Sequence, residues 1–163
     1  SISGITTIQT GIPLTITDSQ AGTIFGASGG RAQMCADATH GSIPTSGSVR
    51  NRLGGISGGS GYFNRSAFCD APTGGIYGNG RGWGNSGRGI IRGPGQFNWD
   101  ISIIKGVRIR ESHNFQFRTE FYNAFNTPQF GNPDSALRNA SFGQITATSV
   151  GPRIIQFGFK YMF

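Results

Sequence analysis

The sequence predicts an all-β chain. It reads as an antiparallel meander of about four long strands with very long Gly/Ser/Asn-rich loops, incomplete as a barrel by itself. Period-two alternation of apolar and polar residues marks the strands. The composition, with 28 Gly and 13 Phe but only 2 Met, favours strands and turns over helices. The connecting stretches are built from Gly, Ser, Asn and Pro, which supply turn geometry rather than a packed helix face.

The first strand region is 1–17: residues 1–9 are rich in Ile and Thr, broken at Gly11-Ile-Pro13, with 14–17 as an extension past a kink. In residues 97–108, Phe97, Trp99, Ile101 and Ile103 share one parity, and Asn98, Asp100 and Ser102 the other. Residues 114–125 set Phe115, Phe117, Thr119, Phe121, Asn123 and Phe125 opposite Gln116, Arg118, Glu120 and Tyr122. In the last strand Ile155, Phe157, Phe159, Tyr161 and Phe163 oppose Ile154, Gln156, Gly158, Lys160 and Met162. Successive side chains of a strand point to opposite faces, so each strand has a bulky apolar face and a more polar one.

The whole is read as a single β segment, residues 1–163, with a long loop at 18–96 and three antiparallel strands in 97–163. The turn around Arg110-Glu-Ser-His113 is short, whereas 126–150 and 18–96 are long. A structureless loop as long as 18–96 is unusual, so short hairpins are expected inside it, for example near residues 61–68. Alternating short turns and long loops, with one strand face apolar and the other polar, describe a transmembrane β-barrel wall. The last strand then runs inward and ends at the periplasmic rim on an aromatic residue. No window is apolar enough for a membrane helix. No signal peptide opens the sequence, so a targeting segment is expected to have been removed or to lie upstream.

The net charge is +7, mostly from dispersed Arg. Without a recognition helix, an RNA-binding strand signature or a dense basic run, these Arg side chains read as loop and polar-face residues rather than a nucleic-acid surface. Cys35 and Cys69 lack the companion ligands of a zinc site, so a disulfide in an oxidising compartment is the favoured reading. The alternative is two free thiols.

Several segments resemble a known family. Gly87-Arg-Gly-Ile-Ile-Arg-Gly-Pro-Gly-Gln-Phe-Asn-Trp-Asp-Ile-Ser-Ile-Ile-Lys105 is similar to the stretch before the last strands of large TonB-dependent outer-membrane receptors. The version it most resembles is the Oar-like type, which carries a carboxypeptidase-regulatory-like N-terminal domain. Phe115-Gln-Phe-Arg-Thr-Glu-Phe-Tyr-Asn-Ala-Phe-Asn-Thr-Pro-Gln-Phe130 resembles the next strand and loop. Phe142-Gly-Gln-Ile-Thr146, followed by residues 151–163, resembles the closing strand, and Ser3-Gly-Ile-Thr-Thr-Ile-Gln-Thr-Gly-Ile-Pro-Leu-Thr-Ile16 an earlier one. The resemblance implies origin in a Gram-negative outer-membrane receptor that imports a scarce nutrient past a plug, using energy relayed by TonB. The plug and most barrel strands lie outside these residues. By the same resemblance Phe163 is the aromatic signal read by the barrel-insertion machinery.

Four strands cannot close a barrel, and open edges at membrane depth are costly. The expected partners of the apolar face (Trp99, Ile101, Ile103, Phe115, Phe117, Phe121, Ile155, Phe157, Phe159, Tyr161) and of the edges are therefore outer-membrane lipid and further strands. The alternative is a processed fragment that self-assembles through its edges into an extracellular homo-oligomer or filament. No enzyme activity, cofactor or metal site is expected. Gly82-Trp-Gly-Asn-Ser-Gly87 matches a dinucleotide fingerprint only formally, because it follows no apolar strand and opens no helix. His40 and His113 have no triad or metal-site spacing, and Asp100 and Glu120 read as a polar ladder near Arg118. If a ligand binds, the candidate contacts are Tyr62, Phe63, Tyr77 and Trp83, aromatic residues of the long loop.

Overall fold

The computed structural model describes residues 1–35, 49–52, 61–72, 82–110 and 113–163. The strands, in chain order, are β1 (Ile2–Gln9), β2 (Pro13–Leu14), β3 (Thr17–Asp18), β4 (Gly30–Arg31), β5 (Gln33–Met34), β6 (Phe68–Cys69), β7 (Ile91–Arg92), β8 (Gln96–Arg110), β9 (His113–Tyr122) and β10 (Ile154–Met162). Among the described residues the only helical pieces are 3-10 turns at Thr23–Phe25, Val49–Arg52 and Arg65–Ala67. The fold is all-β and antiparallel, and its main sheet does not close into a barrel.

The chain divides into two compact units. The first, made of Ser1–Thr10, Gly95–Phe130 and Thr148–Phe163, is the sheet β1-β8-β9-β10, in which the order of the long strands follows the chain. Its register fixes the faces. Ile2 pairs with Ile103, Thr6 with Trp99 and Ile8 with Phe97. Ile101 pairs with Phe121 and Val107 with Phe115. Ile155 pairs with Phe121, Phe159 with Phe117 and Tyr161 with Phe115. Directly paired residues share a face, so these side chains form one apolar surface across all four strands. Asn98, Asp100, Ser102, Gln116, Arg118, Glu120, Gln156 and Lys160 occupy the opposite parity together with Ile5, Ile104, Tyr122 and Ile154, so the other surface is mixed and partly polar. Lys105, paired with Phe117, lies on the apolar one.

β1 ends and β8 begins at the same end of the sheet, since Gln9 pairs with Gln96. β9 ends and β10 begins there too, since Ile154 pairs with Tyr122. Both long connections therefore leave from this end. The two-residue link between β8 and β9 lies at the other, where Met162 pairs with Asn114.

The third strand stops at Tyr122, short of the expected 125, because Asn123 turns the chain with φ 50° and Asn126 follows with φ 51°. Asn tolerates this left-handed region better than most side chains. The Asn123 side chain, 4% exposed, accepts from Thr127 N at 3.0 Å and donates to the carbonyls of Thr127 and Gly151, each at 3.2 Å. Its backbone N–H donates to Asp100 Oδ1 at 2.9 Å. Buried Gln129 then mimics a strand partner for Phe97: its Oε1 accepts from Phe97 N at 2.7 Å and its Nε2 donates to Phe97 O at 2.6 Å. Side-chain amides here satisfy backbone groups that would otherwise be left unpaired.

The second unit comprises Gly11–Pro94 and Gly131–Ala147. Its described residues form three two-residue ladders: β2 with β7, β3 with β4, and β5 with β6. The extension expected at 14–17 is thus not part of the first strand. Pro13 and Leu14 pair instead with Arg92 and Ile91, after a break at Gly11, where a Cβ would lie 1.7 Å from Gly93 O. Nor do residues 61–68 form a local hairpin. They make a turn and a 3-10 helix N-capped by Asn64, and Phe68–Cys69 then pairs with the distant Gln33–Met34. That ladder brings Cys35 and Cys69 together in a disulfide with Cα atoms 5.5 Å apart.

In the described core of this unit Phe63, Phe68 and Phe142 meet edge to face with centroids 5.3–6.2 Å apart, and Ile16, Ile91, Ile145 and several Ala residues are buried as well.

Replacing Asn123 by Ala strains the positive φ and removes the hydrogen bonds, whereas Gly removes only the bonds. The expected order of unfolding midpoints in detergent is wild type, then Asn123→Gly, then Asn123→Ala. The Gly variant should lose about 1–3 kcal/mol; an Ala variant as stable as wild type would contradict this role for the turn.

Candidate functional site

Two features can engage other molecules: the large sheet, through its faces, and a cleft in the second unit. On the sheet's apolar face, Phe157 is 63% exposed and Phe159 80%. Aromatic pairs order this surface: Phe117 lies 4.9 Å from Phe159, and Phe115 4.6 Å from Tyr161. The register places Trp99, Ile101, Ile103, Phe115, Phe117, Phe121, Ile155, Phe157, Phe159 and Tyr161 together on it. Phe163 follows β10, exposed, with its ring 5.8 Å from Tyr161. Tyr161 also stacks on His113, and its hydroxyl lies 2.6 Å from His113 Nδ1.

The polar face carries a shallow groove of about 520 Å³ lined by Ser3, Asp100, Ser102, Arg118 and Glu120 among others. Arg118 is ion-paired with Glu120. Asp100 does not join them; its Oδ1 accepts from Asn98 Nδ2 and Asn123 N. These carboxylates act as acceptors that hold the sheet and its turn. Among the described residues, no three His, Cys, Asp or Glu side chains gather as metal ligands.

The cleft in the second unit has a volume of about 690 Å³ and is lined by Thr17, Asp18, Arg31, Trp83, Arg88 and Arg138, with Ser, Gly and Leu137 between them. Asp18 anchors it. Fully buried, it accepts from Gln20 N at 3.0 Å and Arg138 Nε at 2.9 Å through Oδ1, and from Ala71 N at 2.8 Å through Oδ2. Burial alone raises its pKa, but the Ala71 and Gln20 N–H groups and Arg138 outweigh that and hold it below the ordinary 3.8. Arg138 also pairs with Asp70 at 3.1 Å.

Of the described aromatic residues expected to meet a ligand, Trp83 lines the cleft, 45% exposed. Tyr62 and Phe63 are 5% and 2% exposed and belong to the core, because Phe63 packs against Phe68 and Phe142. Tyr77 and His40 lie outside the described residues. The sequence reading missed Arg31, Arg88, Arg138 and Asp18; residues so far apart in the chain carry no local signal of a shared cleft.

A continuous antiparallel sheet, apolar on one surface and polar on the other, with its long connections at one end, has the character of an outer-membrane barrel wall. The family model described as an outer membrane beta barrel domain matches residues 1–156. The chain belongs to that family, which places it in the outer membrane. No curated protein and no solved structure matches it.

Because the Asp18 pKa is lowered on folding, its contribution is full above 3.8 and fades as pH falls through the lower folded value. Hydrogen-exchange protection of the Gln20 and Ala71 amides should drop over that window. Asp18→Asn should show weaker protection at neutral pH and a flatter pH profile; an unchanged profile would rule out this linkage. Phe63→Ala should destabilise the same unit by about 3–5 kcal/mol, whereas Trp83→Ala, at a half-exposed site, should cost far less. Comparable losses in denaturant titrations would contradict the assignment of Phe63 to the core.

Proposed function

We propose that these residues form the C-terminal wall segment of a TonB-dependent outer-membrane receptor of the Oar-like, carboxypeptidase-regulatory-like-domain type. The parent protein imports a nutrient in a Gram-negative bacterium, and the segment performs no enzymatic chemistry. One observation carries the barrel part of the reading. The register gathers most of the bulky apolar residues on one exposed face, while Asp100, Arg118, Glu120 and Lys160 take the other. The apolar face then meets lipid and the polar face lines the lumen. The resemblance of residues 87–105 and 115–130 to such receptors carries the finer identity.

β1 and β10 are the outer strands of the sheet. Left unpaired at membrane depth, each would forfeit several kcal/mol per backbone group, roughly tens in all. They therefore pair with further strands of the same receptor, and Phe163 serves as the signal read by the insertion machinery. The long connections leave from the extracellular end of the sheet. In water the same edges would instead join copies of the chain into a filament.

The test uses the polypeptide that carries this sequence in the cell. Phe157→Arg should lower the outer-membrane, heat-modifiable fraction, at a cost of about 2–4 kcal/mol if the site lies near the bilayer midplane. Gln156→Arg, on the lumen face, should leave that fraction unchanged. Equal effects, or recovery of a polypeptide no larger than this chain in extracellular filaments, would overturn the receptor reading.

A further inference from the structure

We propose that the cleft of the second unit binds an anionic ligand carrying a ring that can stack on an indole, either an acidic sugar or an aromatic carboxylate. Its volume, about 690 Å³, suits a small molecule. Three guanidinium groups, from Arg31, Arg88 and Arg138, line it. Among the described lining residues Asp18 is the one carboxylate, turned inward and engaged by Gln20, Ala71 and Arg138. Because Arg138 is ion-paired to Asp18 and Asp70, Arg31 and Arg88 are the guanidinium groups left to meet an anion. Arg31 is held in place, its Nη1 donating to Ser86 O at 2.8 Å. A guanidinium fixed in this way offers its other donors to a carboxylate with little further loss of freedom.

The ring preference comes from Trp83. Its indole stacks on Phe25 at 6.1 Å, with an interplanar angle of 8°. It rests against Gly22 and Gly30, where an added Cβ would come within 2.4 Å and 3.1 Å of the ring. Any side chain at Gly22 would displace the indole, and that glycine also has φ 78°. The glycines thus set a rigid aromatic wall beside the guanidinium groups, and Trp83 keeps part of its surface open. The apolar C–H face of a pyranose, or the face of an aromatic ring, stacks on such a wall while the carboxylate reaches the Arg side chains. The polar groove of the sheet offers no comparable site, because Arg118 and Glu120 engage each other there and Asp100 holds the Asn123 turn.

This goes beyond the transport reading and is measured separately from it: failure to bind leaves the barrel standing, and failure of the barrel reading leaves binding measurable. The polypeptide that carries this sequence in the cell, purified in detergent, is titrated by calorimetry with trigalacturonate, 1-naphthoate, maltotriose and inorganic phosphate. Saturable binding of trigalacturonate or of naphthoate is expected, and whichever binds names the source of the ring. Affinity should fall with added salt, and by roughly tenfold or more in an Arg31→Ala/Arg88→Ala variant. Calorimetry should show the same loss in Trp83→Ala. Amide protection at Ala71 reports that each variant remains folded. The proposal is overturned if neither ring-bearing anion binds, if maltotriose or phosphate binds as well as they do, or if a folded double-Arg variant binds like wild type.

Discussion

Everything about the sheet rests on register. Because side chains alternate with period two, sliding β9 by one residue against β8 would carry Arg118 and Glu120 to the apolar side and turn Phe117 and Phe121 to the other. β8 is the hinge of this arrangement, paired to β1 on one side and β9 on the other. Two devices pin it. At one end a link of two residues joins β8 to β9, which leaves little slack. At the other, Asn123 engages Asp100 while Gln129 takes both backbone groups of Phe97. A slip would break these side-chain bonds as well as the ladder.

The second unit solves a different problem. Among the described residues its ladders are only two residues long. Such ladders have little stability of their own. In their place stand a compact Phe cluster, a disulfide and a buried carboxylate that ties three distant segments together through Gln20, Ala71 and Arg138. A carboxylate at full burial is tolerated because both of its oxygens are engaged by N–H donors, one set charged. The same ion pair sets Arg138 in the cleft wall.

The long strands were readable because eight or more alternating residues leave a clear period, and their parity alone gave the faces. The Cys35–Cys69 pairing was readable from the absence of other ligands. Strand ends were not: Phe125 continues the alternation of 115–121, yet Asn123 has already left the strand with positive φ. The β2–β7 and β5–β6 ladders were invisible, since two residues carry no period. Tyr62 and Phe63 sit among Gly and Ser, which suggested solvent, but their partners Phe68 and Phe142 stand elsewhere in the chain and draw Phe63 into a core. The cleft was hidden for the same reason, its Arg residues being gathered from positions 31, 88 and 138.

The Asp18–Arg138 pair spans 120 residues, and the Cys35–Cys69 bridge 34. Loop-closure entropy grows with separation, so the two closures need not come together during synthesis. The bridge can form as soon as both thiols meet an oxidant. Asp18 must wait until the sequences of β8 and β9 have been made and Arg138 has followed them. The bridge can therefore close before the Asp18–Arg138 pair exists, and completing the cleft wall needs the later part of the chain.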